Sequence, residues 1–320
     1  MLTVFIATHN GAASLPRVLA SYLELQPPEG GWKLVIIDNG STDDSPQLIR
    51  SFADRLPLVS LSEAHRGNNR ALNSAVPALE GDLAVFGDDD GIPDADWLVQ
   101  LRGAADRHRD YALFGGPISP VWYAPPADWI LQWVRLAPVF SVTDPAWPDG
   151  PCEPTQVWGA NMAVRADLLG KGHRFDERLG PTGSAVYAMG GETEFVLRLV
   201  VAENLRCWHC KAARVLHIIP PRKMTRAWIL KRAFHLGRCV YRESKQRAAA
   251  GLPHYPRPPL VACRLLGREA LNLLSAHRCA DARRAFEARW QINLWIGCLF
   301  EAASAAHQPP RLPNDAAAHA

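Results

Sequence analysis

The sequence predicts an α/β protein: a mostly parallel sheet flanked by helices, with a helical C-terminal extension. Three observations predict it. Over the first 117 residues, short apolar runs alternate with amphipathic stretches at helical spacing. The apolar runs are continuous rather than alternating, as strands covered on both faces are. Polar clusters follow the first, second and fourth runs, at residues 8–11, 38–44 and 88–90, where parallel sheets present their ligand-binding ends.

Taken in order, residues 2–7 form a first strand ending in Thr8-His9-Asn10-Gly11. Ser14 and Pro16 open a helix over 15–25, with Leu15, Val18, Leu19 and Tyr22 at helical spacing. Pro27-Pro28 and Gly30-Gly31 break it before the second strand, 34–37. A helix over 45–52, an apolar stretch over 56–61 and a helix-like piece over 66–76 lead to the strand 83–86. A helix over 97–107 and an apolar stretch over 111–114 end at Gly115-Gly116-Pro117. Residues 118–157 are dense in Pro and Trp with poor periodicity, which predicts a long irregular excursion of the kind that forms a wall or lid. Strand character returns over 157–164, 205–209 and 213–218, with a short helix at 165–169 and an amphipathic one over 192–202. Beyond Pro221 the chain reads as three helices, over 225–241, 260–274 and 282–302, and the Pro- and Ala-rich tail 308–320 reads as disordered. The implied organisation is 1–117, 118–220, a basic helical extension 221–307, and the tail.

At 320 residues and 48% hydrophobic content the chain can bury a full core. The net charge of +3 hides an uneven distribution: residues 211–300 hold 18 Lys and Arg against 4 Asp and Glu. Such a basic third points to an anionic partner, and only charge, with no motif, speaks for nucleic acid. The N-terminus reads as a strand rather than a signal peptide, and no apolar stretch approaches membrane-spanning length. Seven irregularly spaced cysteines argue against a disulfide framework and for a reducing cytoplasm. Cys207-Trp208-His209-Cys210 is a lone CxxC without the second pair that zinc requires, so these cysteines read as buried or incidental.

Asp88-Asp89-Asp90 carries the most information. Three carboxylates crowded at a strand end repel one another, and a divalent cation would relieve that repulsion. The alternative is a solvated acidic turn leading into a helix capped by Asp94 or Asp96.

The ordered set Ala7-Thr8-His9-Asn10, Ile37-Asp38-Asn39-Gly40-Ser41-Thr42-Asp43, Asp88-Asp89-Asp90, Trp158-Gly159-Ala160-Asn161, Phe175-Asp176-Glu177-Arg178-Leu179-Gly180 and Gly190-Gly191-Glu192-Thr193-Glu194-Phe195 resembles the family 2 inverting glycosyltransferases, which have the GT-A fold. The likeness spans residues 1–220. It implies a nucleotide-sugar donor and Mg²⁺ or Mn²⁺. By the resemblance, Thr8, His9 and Asn10 line the nucleoside pocket and Asp38 accepts hydrogen bonds from base or hydroxyl, a turn-forming role being its alternative. Arg66 meets ribose or phosphate, or is simply solvated.

Asp88-Asp89-Asp90 matches the family's DXD motif. Asp90 is expected on the metal, Asp88 on the ribose or a metal-bound water, and Asp89 between them. Alternating residues of an extended segment share a face, so the outer two can converge. His217 is a further metal ligand or phosphate donor, or else a core histidine. Relatives carry Glu-Asp-Thr-Glu where this chain has Glu192-Thr193-Glu194, so the expected aspartate base is missing. Glu192 takes its place in the alignment, at a helix N-terminus that favours its ionised form, with Glu194 as rival. Trp158 and Asn161 would shape the acceptor side.

The implied acceptor is a hydroxyl of a growing polysaccharide or lipid-linked glycan, with the basic helices docked on an anionic membrane at its inner face. Two other readings remain from the residues alone. A nucleotidyltransferase would want a basic glycine-rich loop after the first strand, which Thr8-His9-Asn10-Gly11 is not. A non-catalytic glycan- or membrane-binding protein is favoured only by the shortened Glu192-Thr193-Glu194.

Overall fold

The computed structural model describes residues 1–184, 186–254 and 258–306. The chain begins β1 (Leu2–Thr8), α1 (Leu15–Leu23), β2 (Trp32–Asp38), α2 (Ser45–Ser51), β3 (Leu58–Ser62) and α3 (Asn68–Ser74). There follow β4 (Leu83–Asp88), β5 (Gly91–Pro93), α4 (Trp97–Arg107), β6 (Leu113–Gly115) and β7 (Ile118–Trp122). Next come α5 (Asp128–Trp133), α6 (Leu136–Phe140), β8 (Gly150–Cys152), β9 (Asn161–Arg165) and α7 (Ala166–Gly170). Then α8 (Gly191–Glu203), β10 (Cys207–His209) and β11 (Val215–Ile219) lead to the helices α9 (Arg226–Ala249), α10 (Pro258–Arg278) and α11 (Ala282–Ala306). The tail expected to be disordered lies outside the described residues.

Among the described residues the main sheet has the order β3-β2-β1-β4-β9-β6-β10-β8, and β5-β11-β7 form a small second sheet. The expected mostly parallel sheet is present: β3, β2, β1 and β4 run parallel. β9 runs antiparallel between β4 and β6. The segment 118–157 is more ordered than its composition suggests. It contains β7, α5, α6 and β8, and β7 pairs with β11 some hundred residues away, a partnership no local periodicity announces.

Side chains alternate across the strands, so two cores form. Leu2, Val4 and Ile6 pack with Leu15, Val18, Leu19 and Tyr22 of α1 and with Trp97, Leu98 and Leu101 of α4. Phe5, Val35, Ile37 and Phe86 face the other way, toward Ala71 and Leu72 of α3 and Phe195, Val196 and Leu199 of α8. Each such side chain contributes about 1.5–3 kcal/mol by leaving water. Asn161, expected at the acceptor side, is instead a buried cross-link. Its Oδ1 accepts the Trp97 indole N–H at 2.9 Å, and its Nδ2 donates to the carbonyls of Pro117 (3.0 Å) and Ala213 (2.7 Å). Cys207 and Cys210 are buried, and all seven cysteines are free thiols.

The chain divides into two compact units, 1–126 with 135–224, and 127–134 with the residues from 225 onward. In the second unit Thr225 caps α9 by accepting the Trp228 amide at 3.3 Å. α9 and α11 meet backbone to backbone. A Cβ on Gly237 would lie 1.8 Å from the Leu294 carbonyl oxygen, and one on Gly297 2.0 Å from that of Phe234. Buried Glu301 receives Arg238 at 2.6 Å and also pairs with Arg242. Trp129 and Trp133 pack here on Phe286 and carry the Arg226 guanidinium over their faces at 5.3 and 5.7 Å, so this part of the Trp-rich segment is packing. No helix among the described residues is long and apolar enough to cross a membrane.

Candidate active site

The site is assembled by strand register. On β1, Thr8 stands opposite Asp38 of β2, and Ala7 opposite Asp88 of β4, which brings the two aspartate clusters to one rim. β5 leaves the aspartates and pairs antiparallel with β11, setting His217 opposite Gly91. The Ile218 amide donates to the Asp90 carbonyl at 2.8 Å, which fixes the histidine strand to the aspartates.

Asp90 is the most contacted of the three. Its Oδ1 lies 3.1 Å from His217 Nε2, and its Oδ2 accepts Lys223 Nζ at 2.8 Å. Burial opposes its ionisation, but the charges of His217 and Lys223 outweigh burial and hold the carboxyl well below the usual range. Burial likewise disfavours an imidazolium at His217, and the Asp90 carboxylate more than compensates, raising the ring's pKa. Asp88 is pushed up to about 6 by burial and then by the charge of Asp90, with Glu192 adding in the same direction. Asp89 is pushed up to about 7, again by burial and Asp90, against a short hydrogen bond from Thr8 Oγ1 to its Oδ2 (2.5 Å). Gly11 passes so close that a Cβ would lie 2.4 Å from Thr8 Oγ1 and 2.7 Å from Asp89 Oδ2.

These residues fit a divalent cation. His217 Nδ1 donates to the Phe140 carbonyl at 2.6 Å, which turns Nε2 toward Asp90 Oδ1. A bare nitrogen lone pair facing a carboxylate is repulsive, so a proton or a cation belongs between them. Among the described residues no three His, Cys, Asp or Glu side chains form a cage. Hard oxygens with few protein ligands suit Mg²⁺ or Mn²⁺, which complete their shells with phosphate and water.

The neighbouring loops are tied to each other. The Asp38 carboxylate accepts the Ser41 amide at 3.1 Å, the turn-forming role weighed for it, and its other oxygen has no partner among the described residues. His9 Nδ1 donates to the Asn39 carbonyl at 3.0 Å. Asn10, in the left-handed region at φ 54°, accepts the Thr42 amide at 2.8 Å through its Oδ1. The hydrogen-bonding side chains of Thr8 and Asn10 are thus used within the protein. Arg66 is exposed, its stem near Gly40 and Gly183, and forms no ion pair among the described residues.

Glu192 and Glu194 part company. Gly190, at φ 80°, turns the chain into α8, and Glu192 lies in its first turn. The Trp158-Gly159 segment lies on Glu192: a Cβ on Gly159 would stand 3.3 Å from its Cβ and 3.4 Å from its Cγ. Glu192 has no hydrogen bond or ion pair among the described residues, and its charge reaches Asp88. Glu194 is clamped by Arg198, Nε to Oε1 at 2.8 Å and a second contact at 3.2 Å, while the same guanidinium donates to the Arg174 carbonyl at 2.6 Å.

Three residues with structural duties at the rim were given no role of their own by the motif reading. Asn39 is buried and joins the β2 end to the next loop through the carbonyls of Glu63 and His65 and the amide of Gly67. Asp43 accepts Ser45 Oγ and the Ala12 amide, locking the first two loops together. Asn69 donates to the Asp176 carbonyl and packs against Gly191, where a Cβ would lie 2.4 Å from its Nδ2. An Asn or Asp just past a strand, or opening a helix, was the available signal.

A sheet of this order, with aspartates at the ends of its second and fourth strands, defines a GT-A-type α/β domain. Residues 3–131 match the family model described as Glycosyl transferase family 2. A PGL/p-HBAD biosynthesis glycosyltransferase of Mycobacterium tuberculosis is 31% identical over 121 residues, which cover 37% of this chain and 46% of that protein. A beta-monoglucosyldiacylglycerol synthase of a Nostoc species is 27% identical over 104 residues, covering 31% of this chain and 22% of the relative. The matched stretch thus spans about half or less of these curated relatives. Among solved structures, the mannosyltransferase PcManGT from Pyrobaculum calidifontis, in complex with GDP-Man and Mn²⁺, superposes with a TM-score of 0.59 at 21% identity, covering 94% of this chain and 87% of its own. TarS 1-349 of S. aureus in complex with UDP-GlcNAc gives 0.53 at 14% identity, covering 97% and 93%.

Proposed function

We propose that this chain is a metal-dependent inverting glycosyltransferase that moves a sugar from a nucleotide-sugar donor to a hydroxyl acceptor. One observation carries the reading: Asp88, Asp90 and His217 converge at the strand ends, with the unpaired Glu192 near enough for its charge to act on Asp88. The GDP-Man and UDP-GlcNAc held by the two solved relatives support the donor class.

Asp90 and His217 would hold Mg²⁺ or Mn²⁺, as the Mn²⁺ of the mannosyltransferase complex suggests. When bound, the ion would neutralise charge on the departing nucleoside diphosphate. The remaining work falls to the chain. Asp38, with one carboxylate oxygen unused, accepts from base or ribose. Thr8 and Asn10 keep the loops that form the nucleoside pocket in place, and His9 and Arg66 border it. Asp88 meets the ribose or a metal-bound water, and Asp89 stays with Thr8. Glu192 takes the proton of the attacking hydroxyl as that oxygen bonds the anomeric carbon from the face opposite the leaving group. The N-terminal end of α8 favours its ionised form, and Gly159 leaves room for its side chain. Glu194, held by Arg198, supports the helix instead.

The acceptor belongs to polysaccharide or lipid-linked glycan synthesis, the lipid case being supported by the diacylglycerol named for the cyanobacterial relative. We place the protein in the cytoplasm, peripheral at the inner face of an anionic membrane. Supporting this, α10 exposes Leu260, Leu271 and Leu274 by 60–69%, on one helical stripe flanked by exposed Arg264, Arg268 and Arg278. Anionic headgroups complement those arginines.

The test is a donor panel. Purified protein is incubated with individual nucleotide sugars and Mn²⁺, and release of nucleoside diphosphate is followed with and without chelator. One donor should turn over, and Asp90→Ala or chelation should abolish the signal. Turnover that survives both would overturn the metal-dependent mechanism.

A further inference from the structure

Lys223 lies in the 3-10 turn Pro221–Met224, just past β11. Its Nζ donates to Asp90 Oδ2 at 2.8 Å, and both side chains are about one-fifth exposed (20% and 19%). The other oxygen of the same carboxylate faces His217 Nε2. Both oxygens of the group that would grip a divalent ion are therefore already engaged by the protein's own donors. The backbone around this contact is pinned, with the Lys223 amide on the Pro220 carbonyl (2.9 Å) and the Ile218 amide on the Asp90 carbonyl (2.8 Å). The lysine stem has four rotatable methylenes, and Asp90 is the ammonium's sole partner among the described residues. The anchor is fixed while the charge can swing.

Charge balance indicates what such a swing would do. Three adjacent carboxylates need cations nearby, and Lys223 is one of the two at hand. A divalent ion arriving alone must compete with the ammonium for Asp90. A donor arriving with the ion brings two negative charges on its diphosphate to match the ion's two positive charges, so the displaced ammonium retains an anionic partner.

We propose that Lys223 is an exchangeable counter-cation: it neutralises Asp90 in the empty site, cedes that oxygen to the divalent ion, and then pairs with the donor's diphosphate. The proposal rests on the metal-dependent reading above. It makes ion and nucleotide bind with positive, reciprocal coupling, because each removes the cost of freeing Lys223 for the other.

The experiment is a titration of the full chain with MnCl2, reading free Mn²⁺ by its electron paramagnetic resonance signal, without nucleotide and with GDP or UDP. Wild type is compared with Lys223→Gln and Lys223→Met, each checked by thermal melting. In both variants Mn²⁺ alone should bind about tenfold tighter, the scale of one lost charge-assisted hydrogen bond. The enhancement of Mn²⁺ binding by nucleotide, present in wild type, should shrink in the variants. Mn²⁺ binding that is unchanged or weaker in two folded variants, or an enhancement that persists undiminished, overturns the proposal and leaves Lys223 a structural pin. If wild type binds nucleotide but no Mn²⁺ under any condition, the metal-dependent reading itself falls, and this inference with it.

Discussion

Gly159 faces the stem of Glu192 so closely that a methyl group added to the glycine would stand 3.3 Å from the glutamate Cβ. The close approach bounds the glutamate stem on that side, and the Glu192 carboxylate has no hydrogen bond or ion pair among the described residues. Gly159→Val should push Glu192 off its position and lower kcat at least tenfold with little loss in melting temperature, as measured by nucleoside diphosphate release and thermal melting. Gly159→Ala should act in the same direction and more weakly.

The two glutamates should behave oppositely on substitution. Glu192→Gln removes the proposed general base and should cost about 10²–10⁴-fold in kcat, leaving stability nearly unchanged. Glu194→Gln breaks the Arg198 clamp and should lower the melting temperature while kcat stays within a few-fold. Steady-state kinetics and melting curves on the same preparations separate the cases, and the reverse pattern would exchange the roles.

Asn161 should prove a stability residue. Asn161→Leu leaves the Trp97 indole N–H and the Ala213 carbonyl short of a buried partner, at about 1–3 kcal/mol for each unsatisfied group, while the Pro117 carbonyl keeps the Val215 amide. The space is tight as well, for a Cβ on Gly116 would lie 2.6 Å from Asn161 Nδ2. Urea denaturation should show a loss of several kcal/mol, and a change under 1 kcal/mol would contradict the assignment.

The thiols give a pH prediction. Burial pushes Cys152 up to about 12, raises Cys207 further still, and raises Cys210 as well. Their folded-state values lie above the unfolded one near 9, so the folded chain holds more protons once the pH exceeds 9. The stability they lend is whole below pH 9 and fades as pH climbs toward 12. Urea midpoints should fall between pH 8 and pH 11, and less so in a Cys152→Ser, Cys207→Ser, Cys210→Ser variant. At pH 8 iodoacetamide should label the exposed Cys263 and Cys279 and spare Cys152, Cys207 and Cys210.

Much of this was legible locally. Continuous apolar runs marked β2 and β4, and the aspartates after them sit at the rim because both strands run parallel to β1. What depends on distant pairing was not legible. His217 reaches Asp90 only because β11 joins β5, and β9 turns antiparallel only because two neighbours accept it so. Asn161 looked like a surface-shaping residue because nothing in its neighbourhood encodes Trp97, Pro117 and Ala213 as partners. The Arg198 clamp on Glu194 was within reach of the sequence, since Arg198 stands four residues after Glu194 and such pairs close readily on a helix.

The membrane reading has a direct check. Leu271→Glu with Leu274→Glu alters only exposed positions, so folding should be unaffected. Co-sedimentation with phosphatidylglycerol vesicles, expected for wild type, should be lost, and neutral phosphatidylcholine vesicles should retain less of either protein. Equal sedimentation of both proteins would remove α10 from the contact.

Where Gly237 and Gly297 meet, the last helices are fitted by clearance alone. A single added carbon at either position has no room, so natural drift there is barred however conservative the replacement. That seam therefore behaves like a keyed joint, admitting one alignment of α9 against α11 and rejecting a slide of one turn, in which ordinary side chains would collide with backbone.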